Sequence, residues 1–119
     1  MISKYDAPRL IKNEIPQIAD GLYRNTVTND IYKSVQCLSE CTKNAVLAHD
    51  YNLSKKCFKL AERLYNNGDV IIKSVIENCF IYSFSSFMPT DKIERMIVKS
   101  IIPGPFYNIY LKQVMQSGS

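Results

Sequence analysis

Four cysteines (Cys37, Cys41, Cys57 and Cys79) and a single histidine, His49, are the residues of this 119-residue chain best suited to metal or nucleophile chemistry. A structural zinc site takes four thiolate or imidazole ligands, usually in closely spaced pairs. The spacing Cys37-x-x-x-Cys41 sets two sulfurs on one helical face, with Cys57 and Cys79 available to complete a set. The surrounding pattern favours a plainer role. All four lie on or beside apolar helical stripes, where a free cysteine packs as a small hydrophobe. No signal for an oxidising compartment accompanies them, so they are expected to be reduced, metal-free and mostly buried, and no cofactor is expected.

Other catalytic constellations are scarce. The chain contains no GxSxG, HExxH, P-loop, GxGxxG or CxxC. His49 falls at the end of the second helical segment, where a charged ring interacts well with the helix dipole. A Cys–His pair for nucleophilic catalysis finds no third group to orient it. Glu77 stands alone in an apolar segment with Lys73 one turn before it. It reads either as an acid of raised pKa or, more simply, as the narrow face of that helix which reaches water. The chain is expected not to be an enzyme.

Two surfaces are candidates for binding. Lys55, Lys59 and Arg63 follow at i, i+4 and i+8, flanked by Lys56, and form a basic stripe. Like charges one turn apart repel by about a few tenths of a kcal/mol per pair, so a compensating partner is expected. A nucleic-acid surface would interleave aromatics with these cations, and Phe58 and Tyr65 are the residues placed to do so. The second surface is an aromatic end made by Phe84, Phe87, Met88, Phe106, Tyr107 and Tyr110. The chain has eight Tyr and five Phe without a Trp, and such rings are enriched where interfaces are dry.

The elements that must position these residues are helical. Gly and Pro together number nine, fewer than average usage gives, which disfavours turn-dense β folds. The first helix is expected over about 7–18 with Asp6 as its N-cap, broken near Ile15 by Pro16. The second begins near Thr28, Asn29 or Asp30 and reaches about His49, and the third starts after Asn52. Asn66-Asn67-Gly68 supplies residues that tolerate positive φ as a C-cap, and Asp69 opens the next helix. That fourth helix, about 70–86, is apolar almost all round and is expected at the centre. A fifth opens on a capping box, Asp91 with Glu94, and turns Ile93, Met96, Ile97 and Ile101 inward. Pro103-Gly104-Pro105 makes a turn into a last helix, about 106–116, with Phe106, Ile109 or Tyr110, and Val114 inward. Ser117-Gly118-Ser119 reads as a frayed end. The fold class is therefore all-α: one domain over 1–119, a bundle of five to six helices.

A net charge of 15 − 11 = +4 is mildly basic, short of a dedicated nucleic-acid binder. No apolar run is long enough for a membrane span and the start has no secretory pattern, so a cytoplasmic location is expected. The run Leu60-x-Glu62-x-Leu64-Tyr65-x-x-Gly68-Asp69, continuing through Val75-x-Glu77, resembles a group of small all-helical bacterial proteins of unknown function. Some of these resemble cognate immunity proteins of polymorphic toxin systems. The resemblance implies a helical protein whose task is binding another protein, such as a cognate toxin, and transfers no catalytic residue. The alternative is a nucleic-acid-associated or regulatory protein using the basic stripe. Homo-oligomerisation is compatible with both.

Overall fold

Four helices of this chain open on an aspartate whose carboxylate accepts a backbone N–H of the first turn. The acceptors are Asp30 for Tyr32, Asp50 for Leu53, Asp69 for Ile72 and Asp91 for Glu94, at 2.8, 3.2, 2.9 and 3.0 Å. Each satisfies a donor that the helix itself leaves without a partner. The structure is a computed structural model and describes residues 1–19 and 30–117. The helices are α1 (Ala7–Glu14), α2 (Ile31–Leu47), α3 (Tyr51–Asn67), α4 (Val70–Val75), α5 (Lys92–Ile101) and α6 (Gly104–Ser117). Among the described residues there is no strand beyond one isolated bridge. The expected all-α bundle is what forms.

Several boundaries differ from the sequence reading, each for a local reason. Asp6 occupies the N-cap position of α1 but its backbone is already helical and its side chain makes no cap bond. Its carboxylate instead accepts from the Ser3 hydroxyl at 2.9 Å. Pro16 does end α1, and a short 3-10 turn, Pro16–Ala19, follows. The proposed starts at Thr28 and Asn29 lie outside the described residues, as do Gly118 and Ser119. α3 begins before Asn52, at Tyr51, because Asp50 caps it. Gly104 and Pro105 belong to the first turn of α6, where the missing N–H of proline does no harm.

Positive φ falls at a different corner from the one expected. Gly68 is extended, with φ −84° and ψ 166°. Its glycine is required by space: an added Cβ would stand 2.3 Å from the Leu64 carbonyl oxygen and 2.6 Å from Ile72 Cγ2. The left-handed residue is His49, at φ 60°. Its N–H donates to Val46 O at 3.1 Å and that of Asp50 to Ala45 O at 2.8 Å, a Schellman ending to α2.

The long apolar segment after Gly68 is not one regular helix. α4 runs into a π-helical segment, Ile76–Ile81, and then a 3-10 segment, Tyr82–Ser86. Buried residues along it are Ile72, Ile76, Phe80 and Phe84 at steps of four, then Phe87 at a step of three. The looser π winding offsets the drift that four-residue steps suffer at 3.6 residues per turn, and 3-10 winding eclipses i and i+3. One row of large side chains thus stays inward. Val70, Ile71 and Tyr82 are exposed, so the segment is central on one side without being covered all round.

Phe58 of α3, fully buried, is the hub of the core. Its ring stands edge-on to Phe80 and Phe84 at centroid distances of 5.9 and 5.6 Å, and those two are 5.5 Å apart. Phe106 joins through Phe80 at 6.2 Å and Phe87 through Phe84 at 5.6 Å. Such edge-to-face pairs add about 0.5–1.5 kcal/mol each beyond the area they bury. A second device closes the chain start onto this core. The Ile2 N–H donates to Asn67 O at 2.7 Å and the Asp69 N–H to Ile2 O at 3.0 Å, a parallel bridge across the α3–α4 turn.

Candidate functional site

Burial divides the expected aromatic end into two parts. Phe84, Phe87 and Phe106 are core residues, so the docking role given to them on the sequence is corrected. Aromatic density in the sequence reported the core cluster. Met88, Tyr107 and Tyr110 remain half-buried at its edge. The Tyr107 and Tyr110 rings lie 6.0 Å apart, and Tyr110 stacks back on Phe84 at 5.9 Å. Lys99 Nζ sits 5.0 Å from the Tyr107 ring centroid, joining α5 to α6 through a cation–π contact. Burial pushes the Tyr110 phenol above its ordinary value, with Tyr107 adding to the shift and Arg95 opposing it.

The larger departure concerns α5. Ile93, Met96 and Ile97 were expected inward; they are 69%, 63% and 38% exposed. Ile101 is half-buried, and Val98 is the one buried residue of the helix. The helix docks by Val98 and the Ile102 that follows it, and turns its richest apolar stripe to water. α6 repeats the motif. Leu111, Val114 and Met115, again at i, i+3 and i+4, are all exposed, which also corrects the inward placement of Val114. Single exposed hydrophobes are ordinary, whereas stripes on two consecutive helices mark an interaction surface. The signal was present in the sequence as an amphipathic pattern, but the pattern does not say which side the rest of the chain covers.

The basic stripe is where it was expected. Lys55, Lys56, Lys59 and Arg63 are all exposed on α3. Arg63 Nη1 lies 3.3 Å from Glu14 Oε1 of α1, the compensating acid for one end of the row. Phe58, however, points into the core, and Tyr65 is half-buried with its ring edge-on to Phe106 at 5.6 Å. The aromatic interleaving suggested for a nucleic-acid surface is therefore not formed by Phe58.

Sequence reading missed a polar pair. His49 Nε2 and Glu94 Oε1 are 2.9 Å apart, joining the α2–α3 corner to the start of α5. They edge a groove of about 400 Å³ walled by Val46, Leu47, Phe87, Met88 and Pro89. The two residues are 45 positions apart, so no local motif announces them. Ser86, in the same groove, donates its hydroxyl to Ser83 O at 2.6 Å.

The cysteines are free thiols, with Cys37, Cys41 and Cys57 buried and Cys79 half-buried. Cys41 and Cys57 stand eight residues either side of His49 on facing helices. The Cys57 thiol donates toward the Cys41 sulfur, which lowers the Cys41 pKa and raises that of Cys57. Among the described residues no group of His, Cys, Asp and Glu gathers in a metal-holding arrangement. No helix among them is long and apolar enough to cross a membrane.

These features define an all-helical domain with a closed aromatic core and an open apolar face. The chain matches a domain of unknown function, DUF7674, over residues 8–116, and it belongs to that family. The match spans all six helices but begins after the Ile2 bridge. No curated protein and no solved structure matches the chain.

Proposed function

We propose that this chain is a non-catalytic protein-binding module, of the kind that holds a bacterial toxin inactive in the cytoplasm. The observation that carries the binding reading is the outward apolar stripe of α5, Ile93, Met96 and Ile97, which the chain's own packing leaves to a partner. The inhibitor assignment rests on the resemblance of the run from Leu60 to Glu77. Within the fold, several of those residues build the α3–α4 turn: Leu64 is buried, Gly68 fits under Ile72, and Asp69 caps α4.

Expression together with the product of the adjacent reading frame tests the proposal. A co-eluting complex and relief of growth arrest support an inhibitor. Absence of any complex, with binding to generic duplex that falls steeply with salt, would favour a nucleic-acid role for the α3 stripe.

A further inference from the structure

We infer that the α5–α6 face receives an amphipathic helix of another protein whose apolar residues are flanked by carboxylates. The inference rests on the binding reading above and gives the partner a chemistry. Apolar residues at i, i+3 and i+4 on both α5 and α6 match the anchor spacing by which a helix is held in a hydrophobic groove. The exposed residues of the two stripes, Ile93, Met96 and Ile97 with Leu111, Val114 and Met115, supply that contact.

Charge selects among possible occupants. From Lys92 to Ser117 the chain has four basic residues, Lys92, Arg95, Lys99 and Lys112, and one acid, Glu94. Glu94 is engaged by His49, and Asp91, just before α5, is engaged as its cap. Arg95 is turned back onto the chain, donating to Pro89 O and Thr90 O at 3.1 and 2.9 Å. The exposed ammonium groups of Lys92 and Lys99, seven residues apart, line one flank of the α5 stripe, with no carboxylate at ion-pair distance among the described residues. A partner with acids along that flank gains both registry and association rate.

A second copy fits less well. Two-fold antiparallel pairing of α5 sets lysine flank against lysine flank, and parallel pairing offers a Glu94 already held by His49. Both bring together chains of charge +4. An anionic membrane would meet Glu94 on the opposite flank of the same stripe, where a protein partner can present a base.

The test uses the full chain and a labelled helical peptide of about 18 residues, long enough to hold helix, with Leu at i, i+3, i+4 and i+7 and Glu on both flanks. A Lys-flanked version of the peptide, vesicles of phosphatidylglycerol and phosphatidylcholine, and sedimentation of the chain alone complete the set. The Glu-flanked peptide should bind at least about tenfold tighter than the Lys-flanked one. Met96→Asp with Ile97→Asp should weaken that binding about tenfold or more while thermal unfolding stays cooperative. Lys92→Glu with Lys99→Glu should erase the preference between peptides. Equal or undetectable binding of both peptides, tighter association with the vesicles, or a dimer abolished by the Met96 and Ile97 changes overturns the inference. If the adjacent frame's product forms a complex that survives Met96→Asp with Ile97→Asp, the binding module stands and this face is the wrong one.

Discussion

The backbone N–H of Lys4 donates to Asp69 Oδ2 at 3.0 Å, while the other oxygen of that carboxylate accepts the Ile72 N–H at 2.9 Å. One side chain therefore caps α4 and fastens the first residues of the chain. Asp69→Ala should cost about 1–3 kcal/mol, a cap and a charge-assisted bond together. Urea unfolding measures it. A loss within about 0.3 kcal/mol would mean that the strap does not depend on this carboxylate.

Glycine matters at one turn and is dispensable at another. Gly68→Ala should destabilise by about 1–3 kcal/mol, since its Cβ would overlap the Leu64 carbonyl and Ile72, even though the backbone suits any residue. Gly104→Ala meets nothing within 4 Å and should be neutral, or stabilise by up to about 1 kcal/mol through helix propensity. Thermal melts of the two variants should move in opposite directions or, at the least, differ clearly.

His49 separates backbone from side chain. Its left-handed conformation suits glycine, so His49→Gly should be about 1 kcal/mol more stable than His49→Ala. Both changes lose the Glu94 contact, and their difference reads the backbone alone. Equal stabilities in denaturant would show that the corner relaxes out of positive φ.

Core and rim aromatics should divide sharply. Phe58→Ala or Phe84→Ala should cost about 3–5 kcal/mol, a large part of the stability of an ordinary domain. Tyr107→Ala, at the half-buried rim, should cost far less and leave a cooperative urea transition. Any loss of partner binding by Phe84, Phe87 or Phe106 variants would then report unfolding rather than a lost contact.

Alkaline pH should loosen the α6 edge. Burial raises the pKa of Tyr110 and, together with Glu77, that of Tyr65 above the ordinary value of 10.0. A raised folded pKa contributes stability that is fully present below the unfolded value and lost as pH rises through the folded one. Stability should therefore fall above pH 10, and Tyr110→Phe should flatten the fall. Absorbance at phenolate wavelengths during a pH titration, followed alongside helicity, checks the order of events.

Local signals in the sequence were sufficient for most helix starts and for the all-α class, because an aspartate cap, a proline break or an apolar period acts within a few residues. Asp69, Asp91 and Pro16 act where their neighbours imply. Contacts between distant residues left no such trace: Ile2 on Gly68 and His49 on Glu94 depend on the finished fold. The orientation of α5 was illegible for a different reason. Its periodicity identifies an apolar face, while Val98 and Ile102 decide which face the core accepts. The phenylalanines misled because a ring in a sequence looks the same whether it faces a partner or Phe58.

The π-helical segment makes this fold sensitive to length at one place. Such a segment holds an extra residue within helical hydrogen bonding, so removing one residue between Ile76 and Ile81 should let ordinary α-helix form there. Everything downstream would then rotate by about 100°, one residue's turn. Phe84 and Phe87 would leave the row that Ile72, Ile76 and Phe80 hold, and α5 and α6 would be carried round with them. Most surface loops absorb a deletion by shortening. Here the missing residue would act as a change of phase, and it would point the outward apolar face somewhere else.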